Sequence, residues 1–154
     1  MPLNFIDLKS ELHRQCLDIV DRRISTIEEA IAAAQHTANS ETKSSAGDKY
    51  ETTRSMMQIE IEQQSAQLAE AMKMKGALLK INPSLSTIIV QPGSLVLTDL
   101  GNFYLATSVG QLVIDEKNYM VLSPASPVGK LMVGMKAGNE FTFNKKVFVI
   151  QRVV

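Results

Sequence analysis

Three carboxylates, Glu41, Asp48 and Glu51, gather in and beside the most polar stretch of this chain. The stretch reads His36-Thr37-Ala38-Asn39-Ser40-Glu41-Thr42-Lys43-Ser44-Ser45-Ala46-Gly47-Asp48. It is rich in Ser and Thr and holds the chain's first glycine, which is loop chemistry. Acids on a loop are ordinarily solvated, and Asp48 also stands where a carboxylate favours the start of a following helix. Their other capacity is to reach into a partner's site. Carboxylates on a flexible loop hold a divalent cation weakly unless further ligands complete the shell. On residue types alone the solvated loop is the reading; Glu41 and Asp48 could serve a metal only inside a complex, and no resident cofactor is implied.

Other reactive groups are sparse. Cys16 is the only cysteine, and His13 and His36 are the only histidines, so neither a disulfide nor a zinc cluster is available within the chain. Cys16 lies at an apolar position of a helical pattern, the setting of a buried structural thiol. A nucleophilic cysteine needs a base in a pocket, and His13, three residues away on the same helix, suits a surface better. His36 has no second ligand nearby. Met56, Met57, Met72 and Met74 fall at the spacing of a core or seam. Asp115-Glu116 precedes a strand and reads as a charged turn or a contact patch. Gly-rich phosphate loops, Ser-His-Asp arrangements and tryptophan are all missing, as is the basic-aromatic interleaving of a single-strand binder.

Sixteen basic and sixteen acidic residues balance, so no overall field attracts nucleic acid. Residues 1–80 carry ten basic and twelve acidic side chains, and residues 81–154 carry six and four. That asymmetry names no partner. There is no signal-like N-terminal segment, and no apolar run approaches the roughly eighteen residues of a membrane span. The expectation is a cytoplasmic protein with no membrane partner.

The elements that must position these groups divide at about residue 82. Apolar residues at Phe5, Leu8, Leu12, Cys16, Val20, Ile24, Ile27, Ile31, Ala34 and Ala38 step by three or four, which keeps them on one helix face. Asn4 is a candidate cap and Asp7 a favourable first-turn acid. A helix of roughly thirty residues, about 50 Å long, follows. The pattern fails from Thr37 to Lys49. It resumes with Tyr50, Thr53, Met57, Ile61, Gln64, Leu68, Ala71, Lys75 and Leu78, predicting a second helix from about Asp48 to Leu79 that Asn82-Pro83 stops. Two such helices joined by a short loop are expected to form an antiparallel coiled-coil hairpin over 1–82. Exposed seam residues would also permit weak self-association.

Residues 83–154 alternate β-rich runs with turn signals. The expected strands are Thr87–Val90, Ser94–Thr98, Phe103–Val109, Leu112–Ile114, Tyr119–Leu122, Glu140–Phe143 and Val147–Val154, the last two forming a hairpin around Asn144-Lys145-Lys146. Ser126-Pro127 opens a short helix that ends by Gly134. The class is α+β, with an antiparallel sheet and one short helix.

The segment from Leu122 to Glu140 resembles a signature of the Gre-type bacterial transcription elongation factors. Ser123-Pro124-Ala125-Ser126-Pro127-Val128 matches that family's Ser-x-x-Ser-Pro-(Ile/Val) turn. A short helix follows, then Gly134-Met135-Lys136-Ala137-Gly138-Asn139 where the family has Gly-Lys-x-x-Gly-Asp. Asp115-Glu116 lies where the family carries an acidic cluster, and Tyr50-Glu51-Thr52-Thr53-Arg54 also agrees. The resemblance covers essentially the whole chain. It implies an FKBP-like C-terminal domain that docks on RNA polymerase, with Asp115, Glu116, Ser123, Ser126 and Pro127 as contact residues. It also implies a coiled coil entering the polymerase secondary channel, so that nucleic acid, DNA included, is met only through the polymerase. In the family, two tip acids help hold a magnesium ion in the polymerase active site, where extra carboxylate assists two-metal hydrolysis. Aligned without gaps on Tyr50, those acids fall on Lys43 and Ala46, and neither residue coordinates magnesium. The expected function is a non-catalytic regulator of elongation. The alternatives are a transcript-cleavage factor using Glu41 and Asp48, or an interaction module unconnected to polymerase.

Overall fold

The structure, a computed structural model, describes the backbone of residues 4–41 and 47–154 and the side chains of 4–40 and 51–154. Two long helices come first: α1 (Phe5–Glu41) and α2 (Gly47–Leu79). Asn4 caps α1, its Oδ1 accepting from Ile6 N at 3.0 Å. All ten seam positions of α1 are buried or half-buried, with Leu8, Leu12, Cys16, Val20, Ile27 and Ala34 the buried ones. The seam of α2 is buried or half-buried from Thr53 to Leu78, while Tyr50 lies outside the described side chains. The expected break at Thr37 is corrected, since α1 runs on to Glu41. No Gly or Pro interrupts it there, and Thr37 satisfies its hydroxyl within the helix, Oγ1 donating back to Ala33 O at 3.0 Å.

The chain divides into two compact units, Met1–Asp18 with Gly76–Val154, and Ile19–Lys75. In the second, the two helices pack against each other. Val20, Ile27, Ala34 and Ala71 are buried along the contact. Lys75 pairs with Asp21 at 2.8 Å, and Arg23 Nη1 donates to Met74 Sδ at 3.4 Å. Ala71 and Ala34 are small, which lets helices approach closely.

The first unit contains β1 (Leu95–Thr98), β2 (Asn102–Leu105), β3 (Gly110–Ile114), β4 (Lys117–Leu122), α3 (Pro127–Met132), β5 (Glu140–Phe143) and β6 (Lys146–Val153). They form a six-stranded sheet in the order β3-β4-β2-β1-β6-β5. The expectation of a wholly antiparallel sheet is corrected, because β2 and β4 run parallel, with Phe103 opposite Met120 and Leu105 opposite Leu122. The chain leaves β2, turns into β3 at the sheet edge and reverses again, so β4 returns in the direction of β2. The expected strand Thr87–Val90 is also corrected: this segment is irregular. Thr87 Oγ1 bonds Ser94 Oγ at 2.6 Å, and Val90 exchanges single bonds with Gly134 and Met135, so no ladder forms.

Side-chain alternation gives the sheet two covered faces. Leu95, Tyr104 and Val121 stand in register on one face, all buried, and α1 meets that face where His13 bonds Tyr104. Val96, Leu105, Phe141 and Ile150 face the other way and meet Met132 of α3. Phe148 stacks on Phe141 with centroids 5.0 Å apart. Burying these side chains stabilises the unit by roughly 1.5–3 kcal/mol each.

Candidate functional site

The side chains of Glu41 and Asp48 lie outside the described residues. Glu51 is exposed on α2, beside Arg54, Ser55 and Gln58 on a shallow surface. Among the described residues no three of the types His, Cys, Asp and Glu converge as a metal site.

Asp115 and Glu116 form the two-residue turn between β3 and β4, with φ of 50° and 66°. Both adopt the left-handed conformation that a tight hairpin of this twist requires, and a short polar side chain such as Asp tolerates it well. Both are exposed. Asp115 acts on its surroundings: burial first, and then its negative charge, raise the Tyr119 hydroxyl above the ordinary value.

The Ser123–Gly129 segment is a tightly bonded turn. Ser123 Oγ accepts from Ala125 N at 3.1 Å, while its carbonyl accepts from Ser126 N at 3.0 Å and from Ser126 Oγ at 2.6 Å. Ser126 Oγ also accepts from Gly129 N at 3.1 Å, capping α3, and Pro127 occupies the position where a missing N–H costs nothing. Gly129 is required by space, since a Cβ there would collide with the Ser123 carbonyl oxygen. Both serine hydroxyls thus bond inside the turn, and Ala125 and Pro127 are the exposed members, with Lys130 exposed just beyond it. The turn can present a shaped surface, but its serines offer no free nucleophile.

The structure also contains a buried polar row that sequence reasoning missed. Lys9 is fully buried, and its Nζ donates to Leu85 O at 2.6 Å and Val154 O at 3.1 Å. Burial holds its pKa below the ordinary value. One turn along, His13 Nδ1 meets Tyr104 Oη at 2.9 Å with the two rings edge-on. Burial lowers the His13 pKa, against the smaller opposing effect of a main-chain bond to Leu78. Cys16 follows, fully buried, its thiol pushed up to about 12 by desolvation. A thiol in that state is not a nucleophile at neutral pH. Tyr104 is likewise raised, mainly by burial. The signal was present in the spacing: Lys9, His13, Cys16 and Val20 step by four, three and four, widening the apolar stripe. This row joins α1 to the sheet and carries no catalytic arrangement.

Set against known proteins, the chain matches no family model, and no curated protein matches it.

Proposed function

We propose that this protein binds bacterial RNA polymerase and regulates elongation by inserting its helical pair, as an antiparallel coiled-coil hairpin, into the secondary channel. In this reading the sheet unit is FKBP-like and docks on the polymerase surface through Asp115, Glu116 and the exposed Pro127. The observation that carries it is the turn from Ser123 to Gly129. The residues that resemble the Gre-type signature build one bonded unit, in which Ser126 caps α3 and Gly129 admits the Ser123 carbonyl. The same chain supplies two helices of 37 and 33 residues, about 55 and about 50 Å long at roughly 1.5 Å per residue.

The protein acts without chemistry of its own. Lys43 and Ala46, at the positions of the family's acids, leave it to modulate the polymerase active site by occupancy and charge. The decisive binding experiment is size-exclusion co-elution of the purified chain with bacterial core polymerase. The proposal expects co-elution, together with an altered elongation rate on a defined template. Absence of binding at micromolar concentrations of both would overturn it.

A further inference from the structure

The two edges of the sheet differ in their protection. β3 and β5 end the strand order, so each has one side without a paired strand. In the β3–β4 hairpin the two-residue turn makes Ile114 and Lys117 the closing bonded pair. Alternation then turns the main-chain groups of Gly110, Leu112 and Ile114 towards β4, and those of Gln111 and Val113 outwards. By the same count, the β5–β6 hairpin closes on Phe143 and Lys146, leaving Glu140 and Thr142 outward on β5.

Edge strands that avoid association carry charge, proline or a bulge. β5 carries Glu140, is only four residues long and is contacted by α3. β3 is Gly110-Gln111-Leu112-Val113-Ile114, five residues without charge or proline, and its register with β4 is continuous. Gln111 and Val113 are exposed, Val113 by 56%.

We propose that the β3 edge is a self-association surface, pairing antiparallel with β3 of a second copy about a two-fold axis at Leu112. In that register Gln111 of each copy faces Val113 of the other, and the two pairs exchange four main-chain hydrogen bonds. The charge pattern sets the direction in which two copies pair. Antiparallel pairing places the acidic Asp115-Glu116 turns of the two copies at opposite ends of the seam. Parallel pairing would stack each acid on itself, which is unfavourable. A C2 contact of this kind is closed, so it ends at a dimer. A seam of five residues per copy stays below the roughly 1,200 Å² of a stable interface, so the dimer is weak and concentration-dependent. It stands independently of the polymerase reading.

The test is analytical ultracentrifugation of the full chain from micromolar to millimolar concentration. The wild type is expected to climb from monomer towards dimer mass. Gln111→Lys with Val113→Lys places lysine opposite lysine and is expected to weaken association at least tenfold. Gln111→Lys with Val113→Glu places opposite charges in register and is expected to restore it. Amide exchange on the wild type supplies a readout free of any folding defect: Gln111 and Val113 should gain protection with concentration, and Thr142 should not. A wild type that stays monomeric at millimolar concentration overturns the proposal, as does a double-lysine variant that is folded and associates like the wild type. Unchanged protection at Gln111 and Val113 overturns it equally.

Discussion

Replacing Ser126 with alanine separates a structural serine from a contact serine. Ser126 Oγ makes two bonds within the turn, donating to Ser123 O at 2.6 Å and accepting from Gly129 N at 3.1 Å. Losing an N-cap costs about 1 kcal/mol, and losing a second neutral hydrogen bond costs about 1 kcal/mol more. The Ser123 carbonyl still accepts from Ser126 N, so the uncompensated loss falls on the Gly129 amide. A destabilisation of about 2 kcal/mol follows for Ser126→Ala. Ser126→Thr keeps both bonds and is expected within about 0.5 kcal/mol of wild type. Ser123→Ala surrenders only the bond from Ala125 N, worth about 0.5–1 kcal/mol. Urea unfolding followed by circular dichroism reads all three as midpoint shifts at constant slope. If Ser126→Ala unfolds within about 0.5 kcal/mol of wild type, the hydroxyl is not holding the turn and this account of the signature is wrong.

Four further outcomes are expected. Gly129→Ala drives a Cβ into the rigid Ser123 carbonyl and should destabilise by about 3 kcal/mol, read in the same urea experiment. Gly76→Ala meets nothing within 4 Å in the last turns of α2, so helix propensity alone should stabilise by about 0.5–1 kcal/mol, visible as a raised melting temperature. His13 has a folded pKa held below the ordinary 6.5 by burial. The unfolded chain therefore binds the proton first, and this contribution is present above about pH 6.5 and lost as pH falls towards the folded value. Wild type should lose more stability than His13→Gln between pH 7.5 and pH 5, an interval set around the ordinary His value. Cys16 should resist thiol reagents at pH 8 in the native state and react fully in denaturant, since burial both hides it and holds the thiolate back.

Local rules account for what the sequence made legible. The three-and-four spacing located both seams because a helix face is set by the chain's own period. Ser126-Pro127 marked the start of α3, and Asn144-Lys145 marked the last turn, whose φ values of 50° and 65° are those such a hairpin needs. Where partners are remote, reading failed. Thr87–Val90 has the β-branched composition of a strand, yet its bonding groups meet Ser94, Gly134 and Met135 singly. The parallel pairing of β2 with β4 follows from where β3 is placed, which composition does not encode. Lys9 shares the spacing of the buried row yet was not read as core, because charged side chains rarely bury; two remote main-chain oxygens make its burial possible. For the candidate site, Asp115, Glu116, Ser123, Ser126 and Pro127 were singled out from the sequence as contact candidates. Their division into exposed groups and internally bonded ones required the fold.

A photocrosslinking residue in place of the exposed Glu51 on α2, carried in the otherwise native chain and bound to core polymerase, tests channel insertion most directly. The account predicts crosslinks to polymerase segments lining the secondary channel near the catalytic magnesium. Crosslinks confined to the enzyme's outer surface, in a complex that demonstrably forms, would contradict it.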